Sequence, residues 1–393
     1  MREQEFLDKV VARDNGLDVH CLEFEKNPEG SSVWLEREDL LLEFTRLVDA
    51  ARDGGSTIAE CVSTANAIDF ADDGSWLREW TAIADLSSAR ADAALADGKL
   101  LAARSNWLRA MNYYQAAAYP IDLSQDRRNA AVTAMRDCAT NYLRHRQPVG
   151  EVVSIPWLQD FPLQGYFLPS PAGKERSPAV ICIGEPGHRK EEFLFKVAHH
   201  ACERGIALLA VDLLGEGTEV RFEEILQRHK LESAINSFAD YLQGRDDVDA
   251  DRIAILGDNW SSSFVARGIA FDQRFAAAVC DGGVWDAHER AFIRKRALPV
   301  ARDSDRNWET NRLLRSIQCP VLVTVGEKGW LESDRVIELT DQIGAGNRDL
   351  TLKIFRQRET AAAQGHLDNP TLANEFIFDW IASRLRRVRP RQV

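Results

Sequence analysis

Arg252-Ile-Ala-Ile-Leu-Gly-Asp-Asn-Trp-Ser-Ser-Ser-Phe-Val-Ala-Arg267 is a short apolar run that feeds a turn and then a helical pattern. Ile253 to Leu256 predict a buried parallel strand, Gly257 a turn, and Ser262 to Ala270 a helix with small residues toward the sheet. That succession is the shape of a nucleophile elbow, G-x-S-x-G, in which a strained strand-to-helix turn lifts the central serine. Gly257 takes the place of the first glycine, Asn259 that of the nucleophile and Ser261 that of the second glycine. The reading is an elbow with an amide where a hydroxyl is expected.

A chain of 393 residues that is 45% hydrophobic can build one large α/β domain plus a second domain around that elbow. Its formal net charge of -12 argues against nucleic acid or an anionic membrane as partner, because both need a basic face. The basic tail Arg384-Leu-Arg-Arg-Val-Arg-Pro-Arg-Gln-Val393 is the local exception and reads as a solvated helix end. No basic n-region leads into an apolar start and no apolar run reaches membrane-spanning length, so a cytoplasmic location is expected. The seven cysteines (Cys21, Cys61, Cys138, Cys182, Cys202, Cys280 and Cys319) stand at no metal-ligand or CxxC spacing. They read as buried thiols in a reducing compartment, with no metal site.

Residues 1 to 148 predict an all-helical domain. Apolar residues recur at three and four spacing over Glu36 to Ala51, Thr57 to Ile68, Trp76 to Ser88, Ala91 to Leu101 and Ala103 to Ala118. Near Pro148 the pattern changes to a strand pair, Glu151 to Pro156 and Leu163 to Leu168. From Ala179 on, strands and helices alternate, so residues 149 to 393 predict a mostly parallel sheet with helices on both faces. The strands are Ala179 to Ile183, Ala207 to Val211, Ile253 to Leu256, Ala276 to Cys280, Val321 to Val325 and Leu350 to Phe355. The helices are Glu191 to Cys202, Leu231 to Leu242, Ser262 to Ala270, Arg335 to Gln342 and Leu372 to Arg386.

Ligands in such sheets sit at the carboxyl ends of the strands, so the residues just after each strand carry the functional reading. Gly184-Glu185-Pro-Gly-His188-Arg-Lys190-Glu191-Glu192 is a turn whose backbone N–H groups suit a developing oxyanion, though a surface salt-bridge cluster also explains its charges. Asp212 follows the second strand as a helix cap or pocket anion. Asp281-Gly-Gly-Val-Trp285-Asp286 and Trp260 place carboxylates and indoles where a flat ligand would lie. After Val325 the position of a triad acid holds Gly329, with Glu327, Glu332 and Asp334 as neighbours out of register. Gln364-Gly-His366-Leu-Asp368 follows the last strand, so His366 is in register for a triad histidine, in the order elbow, acid, histidine.

Gly98, Ala103-Arg104, Leu108-Arg109-Ala110 and Asn112-Tyr113-Tyr114 resemble the helical-domain signature of a family of α/β-hydrolases. The family is the one related to 2,6-dihydroxypseudooxynicotine hydrolase, the FrsA proteins and the fungal naphthopyrone-shortening hydrolase. Lys190-Glu191-Glu192 resembles its K-E-E, and Arg267 to Ala278 with Gly282-Gly283 its post-elbow region; the likeness covers most of the chain from about residue 90. The resemblance implies an α/β-hydrolase fold with a helical domain over the catalytic face and a homodimer. It also implies C-C or ester bond hydrolysis on aryl ketone or polyketide-like small molecules, without cofactor. The family's histidine carries over onto His366 and its pocket glutamate onto Glu191; its serine and aspartate meet Asn259 and Gly329. Glu185, His188, Trp260, Asp281, Trp285 and Tyr113 are the expected substrate-binding residues.

Three readings follow. In the first, Asn259 donates a hydrogen bond to a carbonyl or enolate oxygen and His366 moves protons, giving cyclisation, isomerisation, C-C lysis or dehydration in secondary metabolism. In the second, hydrolysis survives through water activated by His366 or through Ser261. In the third, the fold is a binding or scaffold protein without chemistry.

Overall fold

Ala207 to Val211 is apolar at every position and Val321 to Val325 at every position but Thr324, which suits strands covered on both faces rather than one. The computed structural model describes residues 37–69, 71–72, 74–119, 125–158, 161–171, 176–184, 190–212, 232–283, 316–329, 333–344 and 349–386. Ala207 to Val211 and Val321 to Val325 lie in an eight-stranded sheet. Its strands are β1 (Glu151–Leu158), β2 (Phe161–Leu168), β3 (Ser177–Ile183), β4 (Ala207–Val211), β5 (Val248–Asp258), β6 (Ala277–Asp281), β7 (Val321–Gly326) and β8 (Leu350–Phe355). The order across the sheet is β1-β2-β4-β3-β5-β6-β7-β8, with β2 antiparallel to β4 and every pairing from β4 through β8 parallel. Ile181, Leu209, Ile255, Ala278 and Val323 are buried in the core beside the sheet.

β5 starts earlier than the apolar run suggests. Asp249 and Arg252 neutralise one another at 2.7 Å, and that pair lets polar residues occupy the first half of a central strand. The strand also extends to Asp258, which delivers the chain directly into the elbow.

Contacts divide the chain into two units. Among the described residues one takes 153–190 with everything from 200 on, and the other takes everything up to 152 with 191–199. The second unit is helical: α1 (Glu38–Asp49), α2 (Ile58–Ala67), α3 (Ser75–Ala96), α4 (Leu100–Ala117) and α5 (Gln125–His145). α3 is one continuous helix across the two segments the periodicity suggested, and it stops at the left-handed Gly98 (φ 72). The segment expected as one helix from Glu191 to Cys202 is broken instead into a 3-10 turn at Lys190–Glu192, α6 (Phe193–Lys196) and α7 (Ala198–Glu203). Phe193, Leu194, Phe195 and Val197 are all buried, so no single helical face could bury them together.

Inside the helical unit the Arg46 guanidinium takes both oxygens of Glu43, at 2.6 and 2.8 Å, and donates to Asn112 Oδ1 at 2.7 Å. Its Nη1 lies 3.7 Å from Glu192, which also accepts from Gln115, while Asn112 Nδ2 donates to the Gly55 carbonyl. Burial works against the charge on Arg46, but Glu43 and Glu192 outweigh it and hold the guanidinium above its ordinary value. Removing one member of such a network strands the others. Arg46→Ala is therefore expected to lower unfolding stability by about 3 kcal/mol in urea titration.

Among the described residues no helix is long and apolar enough to cross a membrane. Six of the cysteines are described, all as free thiols, and burial pushes Cys61 up to about 11 and Cys138 up to about 12.

Candidate active site at the carboxyl ends of β5, β6 and β7

Three local constraints make the elbow. A methyl group at Gly257 would sit 2.8 Å from the Ser262 nitrogen, so the strand can turn this tightly only with glycine there. Ser261 and Ser262 are sealed and serve the turn: Ser261 Oγ lies 2.7 Å from the carbonyls of Ile183 and Asp258, and Ser262 Oγ 2.8 Å from the Asp281 carbonyl. Between Gly257 and Ser261, Asn259 has φ 50, the left-handed backbone that an elbow imposes on its apex residue. Ser261 is thus a fastener rather than a displaced nucleophile. The helix that follows, α9 (Ser262–Phe271), packs by Gly268 on Ile235 of α8 (Glu232–Gln243), where a methyl would come within 2.3 Å.

The next strand closes against the apex. Gly282 has φ 119, and a methyl there would lie 2.7 Å from the Asn259 Cα. Gly282→Ala is expected to cost about 1–3 kcal/mol, read as a lowered thermal midpoint, because both the dihedral and the space forbid a side chain.

The acid comes from this strand. His366 Nε2 lies 2.8 Å from Asp281 Oδ1, and the Thr324 hydroxyl of β7 donates to the same oxygen at 2.7 Å. His366 Nδ1 is 2.6 Å from the Ala361 carbonyl, which can only accept, so Nδ1 carries a proton. Two lone pairs would repel at 2.8 Å, so a second proton lies between Nε2 and Oδ1. Neither ring nitrogen is a vacant base in this arrangement. Asp281, one of the expected substrate-binding residues, pairs with His366. Glu327, one of the acids near the expected position, is exposed and bound by the Gln357 N–H and by Arg356, which hold its carboxyl below the usual range. The Asp-Gly-Gly run at the end of β6 was the sequence signal for this acid.

The histidine loop is held by its own hydrogen bonds. Thr360, Ala361, Gly365 and His366 all have left-handed backbone, and Asp368 takes the N–H groups of Ala362 and Ala363 at 3.0 and 2.9 Å. Lys328 N–H donates to the Ala362 carbonyl, and Phe355 stands edge-on to the imidazole at 4.9 Å. Gln364, unremarked in the sequence, crosses from this loop to the elbow: its Nε2 donates to Asn259 Oδ1. Its Oε1 lies 3.1 Å from where a Cβ at Gly329 would be, so the glutamine fills the space that a side chain at 329 would need.

Other expected residues fall elsewhere. Tyr113, placed in the pocket from sequence, is fully buried within the helical unit, where its hydroxyl accepts from Thr57 N–H and donates to Glu60. Burial, with Glu60 beside it, holds that phenol above its ordinary value. Glu191 is fully buried and groups with the helical unit. Lys190 is no surface residue: it is buried, and Asp212 takes its backbone N–H at 2.7 Å and its ammonium at 2.8 Å. Asp212 therefore caps the turn at Lys190–Glu192. Glu185, His188, Glu332 and Trp285 lie outside the described residues, as does the side chain of Trp260.

This architecture has known relatives. The fold matches the crystal structure of 2,6-dihydroxy-pseudo-oxynicotine hydrolase with a TM-score of 0.68 at 17% identity, over 86% of this chain and 95% of that one. In sequence the chain is 27% identical over 301 residues to the hydrolyase poxO of Penicillium oxalicum, covering 73% of this chain and 70% of that protein. It is 28% identical over 252 residues to the 20-hydroxy-prefusarin hydrolase of Gibberella moniliformis, covering 61% of this chain and 59% of that protein. The family model described as "Esterase FrsA-like" matches residues 63–299. With this sheet, this elbow and that match, the chain belongs to the FrsA-like family and is an enzyme of the α/β-hydrolase superfamily.

Proposed function

We propose that this enzyme works without an acyl-enzyme, by noncovalent acid/base chemistry on an aromatic ketone or polyketide-like small molecule of secondary metabolism. The observation that carries the reading is the apex of the elbow. Asn259 occupies the left-handed turn with its Oδ1 taken by Gln364, and no acceptor among the described residues takes its Nδ2. An amide cannot attack a carbonyl carbon, but its N–H can stabilise the oxygen of an enolate. His366 with Asp281 starts the cycle holding a proton, and that proton goes to a departing or carbonyl oxygen. In the loss of water from a β-hydroxy ketone a solvent water takes the α-proton, the Asn259 N–H holds the enolate oxygen, and the ring proton leaves with the hydroxyl as water before solvent reprotonates the ring; cyclisation, isomerisation and C-C cleavage use the same two groups with the same external base. The printed name of the Penicillium oxalicum relative, a hydrolyase, describes chemistry of the first kind.

The hydrolase name of the Gibberella moniliformis relative favours a second reading, in which His366 activates water against an ester or a C-C bond. The two differ in one atom. Turnover of polyketide-like β-hydroxy ketones and aryl esters in ¹⁸O-labelled water, followed by mass spectrometry, separates them. Elimination or isomerisation leaves the organic product unlabelled, whereas hydrolysis places one labelled oxygen in the acid product and overturns the proposal.

A further inference from the structure

An asparagine at an elbow has two chemically opposite ends, one donating and one accepting, and a reaction that builds negative charge on oxygen needs the donating end outward. What sets that choice is whatever holds the other end. Gln364 Nε2 donates to Asn259 Oδ1, so the accepting end is occupied. Asn259 Nδ2 lies against Gly365, 3.9 Å from where a Cβ would be, and no acceptor among the described residues takes it. The glutamine has room to do this because residue 329 has no side chain: any Cβ there would press on Gln364 Oε1 at 3.1 Å. Gln364 in turn is held by a loop whose backbone is left-handed at Gly365 and His366 and pinned by Asp368.

We propose that Gln364 is a positioning residue that fixes the orientation of the Asn259 carboxamide, so that the elbow presents an N–H donor and selects anionic oxygen over neutral hydroxyl or carbonyl oxygen. This rests on the reading above that Asn259 faces a substrate oxygen. Gly329 is then more than a missing acid, since its bare backbone leaves the space in which the glutamine lies.

The test uses the full-length protein and 4-nitrophenol, a flat aromatic probe whose phenolate absorbs visible light and whose phenol does not. The ratio of phenolate to phenol affinity is read as the displacement of the dye's ionisation midpoint on binding. Native protein is expected to favour phenolate, and Asn259→Ala to reduce that preference about tenfold, the worth of one hydrogen bond to a charged oxygen. Gln364→Met, which keeps the length and loses the donor, is expected to lose most of the same tenfold. Gln364→Glu is expected to invert the preference: a carboxylate accepts only, so Asn259 turns its Nδ2 inward and shows the dye its oxygen. In an Asn259→Ala background both Gln364 substitutions should change nothing further, because a positioning residue acts only through the group it positions.

The outcomes are separable. If Asn259→Ala leaves the phenolate preference untouched, the donor role of the elbow is wrong and the inference falls with it. If Asn259→Ala removes the preference while Gln364→Met and Gln364→Glu, folded by circular dichroism, leave it intact, the donor role stands and the positioning role is overturned. An equal effect of Gln364→Glu with and without Asn259 would make it a direct charge effect and likewise overturn the inference.

Discussion

Asp281→Ala is expected to lower unfolding stability by about 3–5 kcal/mol, among the largest effects of any single substitution in this chain, because it removes one partner of a buried pair and leaves the other. Asp281 is 6% exposed and His366 2%, so water cannot replace the lost oxygen. The Thr324 hydroxyl loses its acceptor at the same time. Asp281→Asn should cost less, since an amide oxygen can still accept from the Thr324 hydroxyl. Urea titration of the two variants beside native protein gives the ranking. A loss within about 1 kcal/mol of native for the alanine variant would place it among ordinary surface substitutions and remove the pair as the support of the histidine loop. Turnover should fall in both, because the proton held between Nε2 and Oδ1 is the one assigned to the reaction.

The second large effect concerns the apex. Asn259→Ala is expected to reduce turnover by about 10²–10³, the range for loss of one donor to a developing oxyanion, with little change in fold because the backbone turn is set by Gly257 and Gly282. Asn259→Ser is the sharper variant. It restores a hydroxyl at the place where this superfamily mounts its nucleophile, but the base it would need has both nitrogens committed, Nδ1 to the Ala361 carbonyl and Nε2 to Asp281. The serine variant should therefore stay unlabelled by a fluorophosphonate probe. Rapid labelling would mean that the ring leaves Asp281 readily, and the water-activating reading would gain at once. Adding Gly329→Asp to rebuild the usual acid brings a Cβ within 3.1 Å of Gln364 Oε1 and 3.0 Å of the Gly326 carbonyl oxygen, so the glutamine tip has to give by a few tenths of an ångström before that acid is seated.

Chemistry along the chain decided much of this protein before any fold was known. The apolar runs that become β4 and most of β7, the small residues after Gly257 and the three-and-four spacing of the helical unit all express local periodicity, which burial on one or two faces imposes directly on sequence. Residues 259, 281 and 366 could be named from their places just past strand ends, since a parallel sheet gathers those places at one edge. Which side chain meets which was another matter. Asp281 and Glu327 stand equally well at strand ends, and only the twist and spacing of β6 and β7 bring the first to the imidazole and leave the second outside with Arg356. Tyr113 reads as a ligand-facing aromatic until the helices close around its hydroxyl. The crossing of Gln364 to Asn259 spans 105 positions of sequence, and no local pattern encodes a contact at that distance. Sequence alone determined the layers and the set of candidate groups, because periodicity is a short-range property. Tertiary structure decided the partners, because hydrogen bonds and ion pairs form between atoms that neighbour each other only once the sheet has assembled.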